Sequence, residues 1–407
     1  MSKIFFTNGN ILDVVNETIY SGSILTEDGV ITAAGADLAA PADAETVDLG
    51  GGYVSPGLFN CHTHVLMSGQ AQGITSRGDV TMVIEALDNC RKQVESGVTF
   101  IRDVGGAKYY DVELRDLAKK GRILAPEMQV AGKNICMTGG HGWQDGREAD
   151  GPEDCRKAAR EQLKAGADVV KLMATGGVLT QGVEPGSPQL TEDEMRAAIE
   201  EAHKRGARTA THAQGMVGIK NALRAGIDSI EHGFYLDDWC YDWMKEHGTY
   251  FVPTLSAMYW IKVNGVDAGI PAWAVEKVER CFAAHQASFL GAYKAGVKIA
   301  LGTDAGTPFN FHDKTAYEMV LMVENGMTPW DALKTGTVNA AELCGVLNSH
   351  GTIEPGKSAD MIVCRQNPLD DVTVLRDLEM VIFRGKLLKD IAFKKDRTVE
   401  DALDTLL

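Results

Sequence analysis

Thiol chemistry is the first thing missing from this sequence. Its eight cysteines form no CxxC pair and no regular framework, which argues against a disulfide-stapled fold; we read them as reduced and mostly buried. No apolar run approaches the ~20 residues that cross a bilayer. The start, Met1-Ser2-Lys3-Ile4-Phe5-Phe6, has no charged stretch followed by a long apolar one, so no secretory signal is read and the cytoplasm is the simplest location. Positive charge is scarce: 40 Lys and Arg stand against 56 Asp and Glu, a net charge of −16. That balance argues against nucleic acid and anionic membrane as partners, both of which select basic patches. Phosphate-binding glycine patterns are absent too, since Gly105-Gly106 and Gly176-Gly177 belong to neither a GxGxxG nor a Walker motif.

What remains is an ordinary globular composition, 44% hydrophobic and 24% charged. A length of 407 residues exceeds one small core and fits a large barrel plus a minor domain. The first fifty residues read as short strands separated by Asn8-Gly9-Asn10 and Glu27-Asp28-Gly29 turns. After the glycine-rich break at Gly50-Gly51-Gly52, apolar strands alternate with amphipathic helices. Strands are predicted over 58–64, 98–103, 128–131, 168–173, 207–212, 229–232, 250–254 and 298–304. The clearest helices cover 79–96, 152–165 and 191–205, the last opened by a Thr191-Glu192-Asp193-Glu194 capping box. About eight such repeats predict an α/β chain, a (β/α)8 TIM barrel over 58–347. Strands near Met361, Met380 and Lys386 predict that 1–57 and 348–407 join into one small β-sandwich domain, with a charged, weakly helical tail from Lys394.

The chemistry-bearing residues stand at the predicted strand ends. His62 and His64 are two apart, which puts both imidazoles on one face of a strand. Cys61 falls among them but alternates to the other face, where packing is expected. His212, His232 and Asp304 each end a strand, so all can converge over the barrel mouth. Lys171 lies inside the apolar run Val169-Val170-Lys171-Leu172-Met173. A bare ammonium there loses its hydration, so it must find a partner, lose its proton or be modified. A lone histidine on an apolar strand is normally a core residue. Four histidines and an aspartate at the ends of four strands, with a lysine inside a fifth, instead read as the shell of a two-metal hydrolase, with Lys171 serving as a carbamate. Nitrogen and hard oxygen donors suit zinc, with manganese, cobalt or iron as alternatives.

These residues resemble the amidohydrolase superfamily over nearly the whole chain. The resemblance is carried by Pro56-Gly57-Leu58, His62-Thr63-His64, Lys171, the two single histidines, Gly302-Thr303-Asp304-Ala305-Gly306 and Gly356-Lys357-Ser358-Ala359-Asp360-Met361. Within it, Thr138-Gly139-Gly140-His141-Gly142 and Lys171-Leu172-Met173-Ala174-Thr175-Gly176-Gly177 are similar to the imidazolonepropionase-related group that includes metal-dependent Xaa-Pro dipeptidases (prolidases) and related carboxypeptidases.

The resemblance implies a binuclear hydrolase that cleaves the amide of dipeptides or N-acyl amino acids with a metal-bridging hydroxide. His62, His64 and Asp304 would hold the more buried ion and His212 and His232 the more exposed one. N-carboxylated Lys171 would bridge them. Asp304 would act as general base and then acid. His141 would contact substrate or the developing oxyanion, and Tyr235 would hold a substrate carboxylate. Arg102 and Asp103 are read as a structural pair. Trp143, Tyr259, Asn310 and His312 are further pocket candidates, whereas His203, His247, His285 and His350 are read as surface groups. The expected partner is a small-molecule or dipeptide substrate, and the chain is expected to form a homo-oligomer. Two other readings stay open: a hydrolase or deaminase of cyclic or heterocyclic amides, hydantoinase- or imidazolonepropionase-like, and a metal-free structural or interaction barrel. Metal-free relatives lose ligands, and here all six ligand positions are filled.

Overall fold

Runs of buried residues set the architecture. Val98–Asp103 and Val169–Met173 are buried at every position, as parallel strands covered on both faces require. The computed structural model describes residues 3–71 and 77–388; the predicted tail from Lys394 lies outside them. Leu58–Thr63, Val98–Asp103 and Glu127–Val130 form a parallel three-stranded sheet. Val169–Met173, Arg208–Ala213, Ser229–His232 and Tyr250–Val252 follow in a second parallel sheet, extended at one edge by Ile135–Cys136 and Arg147–Glu148.

Individual hydrogen bonds link the two sheets. The Asp168 N–H donates to the Val130 carbonyl at 2.8 Å, and the Phe251 N–H donates to the Lys298 carbonyl at 2.9 Å. On the far side, the Cys61 N–H reaches the Leu301 carbonyl at 2.8 Å and the Asp304 N–H reaches the His62 carbonyl at 2.8 Å. The layout fits a barrel. The predicted strand 298–304 fills its place through isolated bridges at Ile299 and Ala305 rather than a regular ladder. The reason is local: Asp304 has φ 60°, a left-handed conformation that takes the chain out of strand geometry.

Helices lie between the strands as the apolar periodicity predicts. Asp79–Glu95, Pro152–Ala165 and Glu192–Lys204 match the three expected segments. Thr191 caps the last of these with Glu194 reaching back to its N–H, the reciprocal pair predicted from sequence. Among the described residues, no helix is long and apolar enough to cross a membrane.

The two ends of the chain do meet. Met361–Cys364 pairs antiparallel with Tyr53–Pro56, which pairs with Lys3–Asp13. They belong to one hydrogen-bonded sheet of eight strands, where a sandwich would need two. Lys3–Asp13 is long enough to pair along one side with both Glu45–Asp48 and Tyr53–Pro56, so the sheet continues without a break. Ile4, Phe6, Ile24, Val54, Met361 and Ile382 share its core, drawn from both ends. All eight cysteines are free and buried, as expected.

Gly302 marks a tight seam beside His62. A Cβ there would lie 2.4 Å from a Val252 methyl and 2.9 Å from the His62 backbone nitrogen. Gly302→Ala is therefore expected to lower the unfolding free energy by about 1–3 kcal/mol through overpacking. Denaturant unfolding measures this, and a midpoint equal to the parent's would contradict the close approach.

Candidate active site

The carboxyl ends of the strands converge on a cavity of about 410 Å³. His62, His64, His141, Lys171, His212, His232 and Asp304 all line it. Neighbouring imidazole centroids are 4.3 Å apart for His141–His212, 4.5 Å for His212–His232, 4.9 Å for His62–His232 and 5.4 Å for His62–His64. Asp304 Oδ1 lies 3.3 Å from His62 Nε2 and 3.2 Å from His64 Nε2. His62, His232 and Asp304 place ligand atoms within 4.8 Å of one another, a group that can hold a metal ion.

Each of the four strand-end imidazoles has one nitrogen engaged by the protein. His62 Nδ1 meets Glu231 Oε2 at 2.7 Å, and His64 Nδ1 meets the Gly105 carbonyl at 2.9 Å. His232 Nδ1 meets Thr254 Oγ1 at 2.7 Å, and His212 Nε2 meets the Gly176 carbonyl at 3.1 Å. One nitrogen per ring is thereby left for a ligand. Orienting partners of this kind hold metal-binding histidines in place, so the donor set fits divalent cations. His232 and Asp304 both adopt positive φ, 71° and 60°, and Thr254 does so at 53°. Such conformations cost about 1 kcal/mol or more each and gather at functional sites. Glu318 braces the last of them: its buried carboxylate accepts the N–H groups of Leu255 and Ser256 at 2.6 and 2.8 Å. Burial pushes Glu318 up to about 7.

Charge at the site is held by burial and pairing. Burial lowers the Lys171 ammonium to about 8 against the pull of Glu231 and Asp304. Among the described residues, no hydrogen bond or ion pair engages it. Burial and then the Lys171 charge lower His62; burial and neighbouring imidazoles hold His212 well below the ordinary histidine value. Burial takes His141 to about 4. Burial opposes charging of Asp304, but His62 and His64 outweigh it and keep the carboxyl well below the usual range. His64 moves the other way: burial opposes its charge, but the Asp304 carboxylate raises it above the ordinary histidine value, so metal binding there would displace a proton that Asp304 helps to hold.

Several placements differ from the sequence expectation. Arg102 is not paired with Asp103. Its guanidinium donates to Glu231 Oε1 at 2.8 Å, to Ser229 Oγ at 3.0 Å and to the Cys61 carbonyl at 2.7 Å. Asp103 instead accepts the N–H groups of Val65 and Gly105. Tyr235 lies away from the cavity lining, its hydroxyl donating to Cys281 Sγ at 3.3 Å. Chain reversal explains this: positive φ at both His232 and Gly233 ends strand alternation, so spacing no longer predicts direction. His285 and His350 are buried rather than surface groups, bonded to the Pro253 carbonyl and packed against Phe100. His203 and His247 are exposed as expected. Trp143, Tyr259, Asn310 and His312 stand outside the lining; Asn310 bonds the Thr303 carbonyl, and His312 the His64 carbonyl.

Sequence reasoning missed Glu231 and Gln214. Glu231 was visible as a charge alternating with Ile230 on a buried strand. Gln214 lines the cavity two residues past His212, and its buried Oε1 has no partner within the protein.

Glu231 is fully buried between Arg102 and His62. Burial opposes its charge, but the Arg102 guanidinium and the His62 hydrogen bond bring it from 4.5 to about 2. Its stabilising contribution is therefore complete above about pH 4.5 and is lost as pH falls toward about 2. Glu231→Gln leaves a buried guanidinium short of its counter-charge, and is expected to destabilise the metal-free protein by about 3 kcal/mol. It should also flatten that acid limb. Unfolding measured between pH 2 and pH 7 tests both, and a variant as stable and as acid-sensitive as the parent would contradict the assignment.

Comparison with known proteins agrees with this geometry. Residues 53–388 match the model of the amidohydrolase family. The chain is 32% identical over 376 residues to ochratoxinase of Aspergillus niger, covering 82% of this chain and 75% of that protein. It superposes with a TM-score of 0.89 on the crystal structure of a Xaa-Pro dipeptidase with methionine bound in the active site, at 33% identity and covering 95% and 99% of the two chains. A prolidase complexed with N-methylphosphonate-L-proline superposes with a TM-score of 0.90 at 29% identity, covering 95% and 100%. The chain belongs to the amidohydrolase family and is a hydrolase.

Proposed function

We propose that this protein hydrolyses the amide bond of dipeptides, Xaa-Pro or similar, or of N-acyl amino acids, and that it does so with two divalent metal ions, zinc being the best fit. The observation that carries the reading is the convergence of Asp304, Lys171 and five histidines on one cavity, with a ring nitrogen of each strand-end histidine already engaged by the protein. The named activities of the ochratoxinase and prolidase relatives support amide cleavage.

His62, His64 and Asp304 would hold one ion and His212 and His232 the other, with N-carboxylated Lys171 between them. Bound there, the ions would supply Lewis acidity for the amide carbonyl and a lowered water pKa near ~7. Carboxylation converts a neutral lysine amine and carbon dioxide into a carbamate anion and a proton. That neutral amine arises first, when the ammonium, brought to about 8 by burial, loses a proton of its own within reach of neutral pH.

The chain's own groups account for binding and proton movement. Asp304 stays ionised and is placed to take a proton from the attacking water. As the new carbon–oxygen bond forms and the carbon–nitrogen bond breaks, it returns that proton to the departing nitrogen. His141 contributes a ring to the same wall as His212 and is positioned to meet the developing oxyanion. The unpartnered Gln214 Oε1 can accept a hydrogen bond from a substrate N–H group, such as the amino group of a dipeptide. Met173, Phe234, Met258 and Ile261 give the cavity an apolar side, and Arg77 and Lys108, paired with Glu85 and Asp79, stand at its polar side. Residues 58–347 carry this chemistry, with the joined ends packed beside them.

Chelation is expected to abolish hydrolysis of an Xaa-Pro and N-acyl amino acid panel, and zinc to restore it. Lys171→Ala should lose about a thousandfold in kcat/KM, corresponding to several kcal/mol of charge stabilisation, with partial return in short-chain carboxylic acids. Asp304→Asn should fold but turn over poorly. Steady-state kinetics on the panel, with hydantoins as the comparison set, decides: preference for the cyclic amides, or parent rates in Asp304→Asn, would overturn the reading.

A further inference from the structure

Lys277 is buried, at 4% exposure, on the helix Ala272–Ala295, yet no carboxylate answers its charge among its hydrogen bonds. Its ammonium donates to the carbonyls of Val183 at 2.6 Å, Thr180 at 2.7 Å and Gly177 at 3.2 Å, with Val178 further off at 3.4 Å. It also faces the Trp273 ring, 5.0 Å from the centroid. All four acceptors belong to one excursion of the chain, which leaves after Lys171's strand and closes at a bridge between Thr175 and Pro188. Burial of the ammonium and the shape of this loop therefore depend on each other: the charge is tolerated only while the carbonyls point inward.

The loop reaches the cavity in two ways. Thr180, held through its carbonyl by Lys277, presents its hydroxyl to His141 Nδ1 at 2.7 Å. Gly177 passes so close that a Cβ there would lie 2.4 Å from His141 Nε2. Val178 and Leu179 line the cavity, and Val178 packs in one cluster with Phe234, Met258 and Ile261. The same cluster takes in Ala274 and Val278 from the helix that carries Lys277.

We propose that Lys277 is a positioning residue whose ammonium, by gathering the carbonyls of residues 177–183, sets both the orientation of His141 through Thr180 and the apolar wall formed by Val178 and Leu179. It rests on the reading of the cavity as the amide-cleaving site and names a determinant of its substrate preference. The wall meets the apolar part of the substrate, so the clamp discriminates by size: bulky apolar substrates depend on it more than small ones.

The test uses full-length, zinc-loaded protein and two N-acyl amino acids, one of phenylalanine and one of alanine. Lys277→Met is expected to keep its metal content and to lose about tenfold or more in kcat/KM on the phenylalanine substrate, the scale of a modest misplacement, through a lowered kcat from the released Thr180–His141 contact and a raised KM from the displaced wall. The alanine substrate should lose less. Thr180→Val should lower kcat with little change in KM, and adding it to Lys277→Met should cost nothing further. Lys277→Arg, which keeps the charge, should recover part of the loss. An unchanged preference between the substrates, or losses that multiply in the double variant, would overturn the proposal.

Hydrogen exchange read independently of activity separates this inference from the functional reading. Residues 176–184 should exchange faster in Lys277→Gln while the strand amides keep their protection, and equal protection of the loop would overturn the clamp even if the parent hydrolyses neither substrate. If Lys277→Met does not fold, Thr180→Val decides alone: a kcat equal to the parent's overturns the route to His141, and a selective fall in kcat upholds it.

Discussion

The site is anchored by an ion pair buried between strands of the two parallel sheets. Arg102 and Glu231 reach each other from two strands at 2.8 Å, and the second oxygen of Glu231 takes His62. Both charges are buried, so neither can be removed without leaving the other uncompensated. The guanidinium also holds the Cys61 carbonyl, one residue before His62. His62 is thus fixed at its ring and through the neighbouring backbone. Its free nitrogen faces Asp304, whose own N–H returns to the His62 carbonyl. The dry ion pair and the closing seam of the strands are one construction, and the remaining imidazoles are arranged around it.

Much of this was legible in the sequence because two periodicities carry it. Strand alternation put His62 and His64 on one face, and the βα rhythm put His212, His232 and Asp304 at strand ends, where the structure has them lining the cavity. Lys171 was legible because an ammonium inside an apolar strand demands an explanation. What failed were inferences that needed direction beyond the end of a regular element. Tyr235, placed at a substrate carboxylate by the resemblance, turns its hydroxyl to Cys281 after the chain passes two positive-φ residues. His285 was read as a surface group because it falls in a helical stretch, yet its helix buries the ring against Phe234. Arg102 was paired with its neighbour Asp103, although adjacent strand residues point to opposite faces and its true partner lies 129 positions away.

The cavity divides into a charged floor and an apolar side, and different parts of the fold make them. Strand ends supply the floor, where position is fixed to the accuracy of the strands' hydrogen bonding. Loops and flanking helices supply the side, and these need their own supports: Glu318 beneath the turn after Thr254, and Lys277 beneath the loop that carries Thr180. Each is a buried ionisable group satisfied by backbone groups; Glu318 holds the residue after Thr254, the partner of His232, and Lys277 holds Thr180 itself, the partner of His141. Chemistry set by the strands and preference set by braced loops together describe how one family architecture can keep its reaction while changing its substrate.

The central claim is that Lys171 becomes an anion that joins two divalent ions over the strand ends. Its most direct test is a high-resolution crystal structure of the protein prepared with zinc and bicarbonate, read at Lys171 Nζ and in anomalous density. The account predicts carboxylate density continuous with the nitrogen and two anomalous peaks among His62, His64, His212, His232 and Asp304. An unmodified lysine in a cavity without anomalous peaks would contradict it.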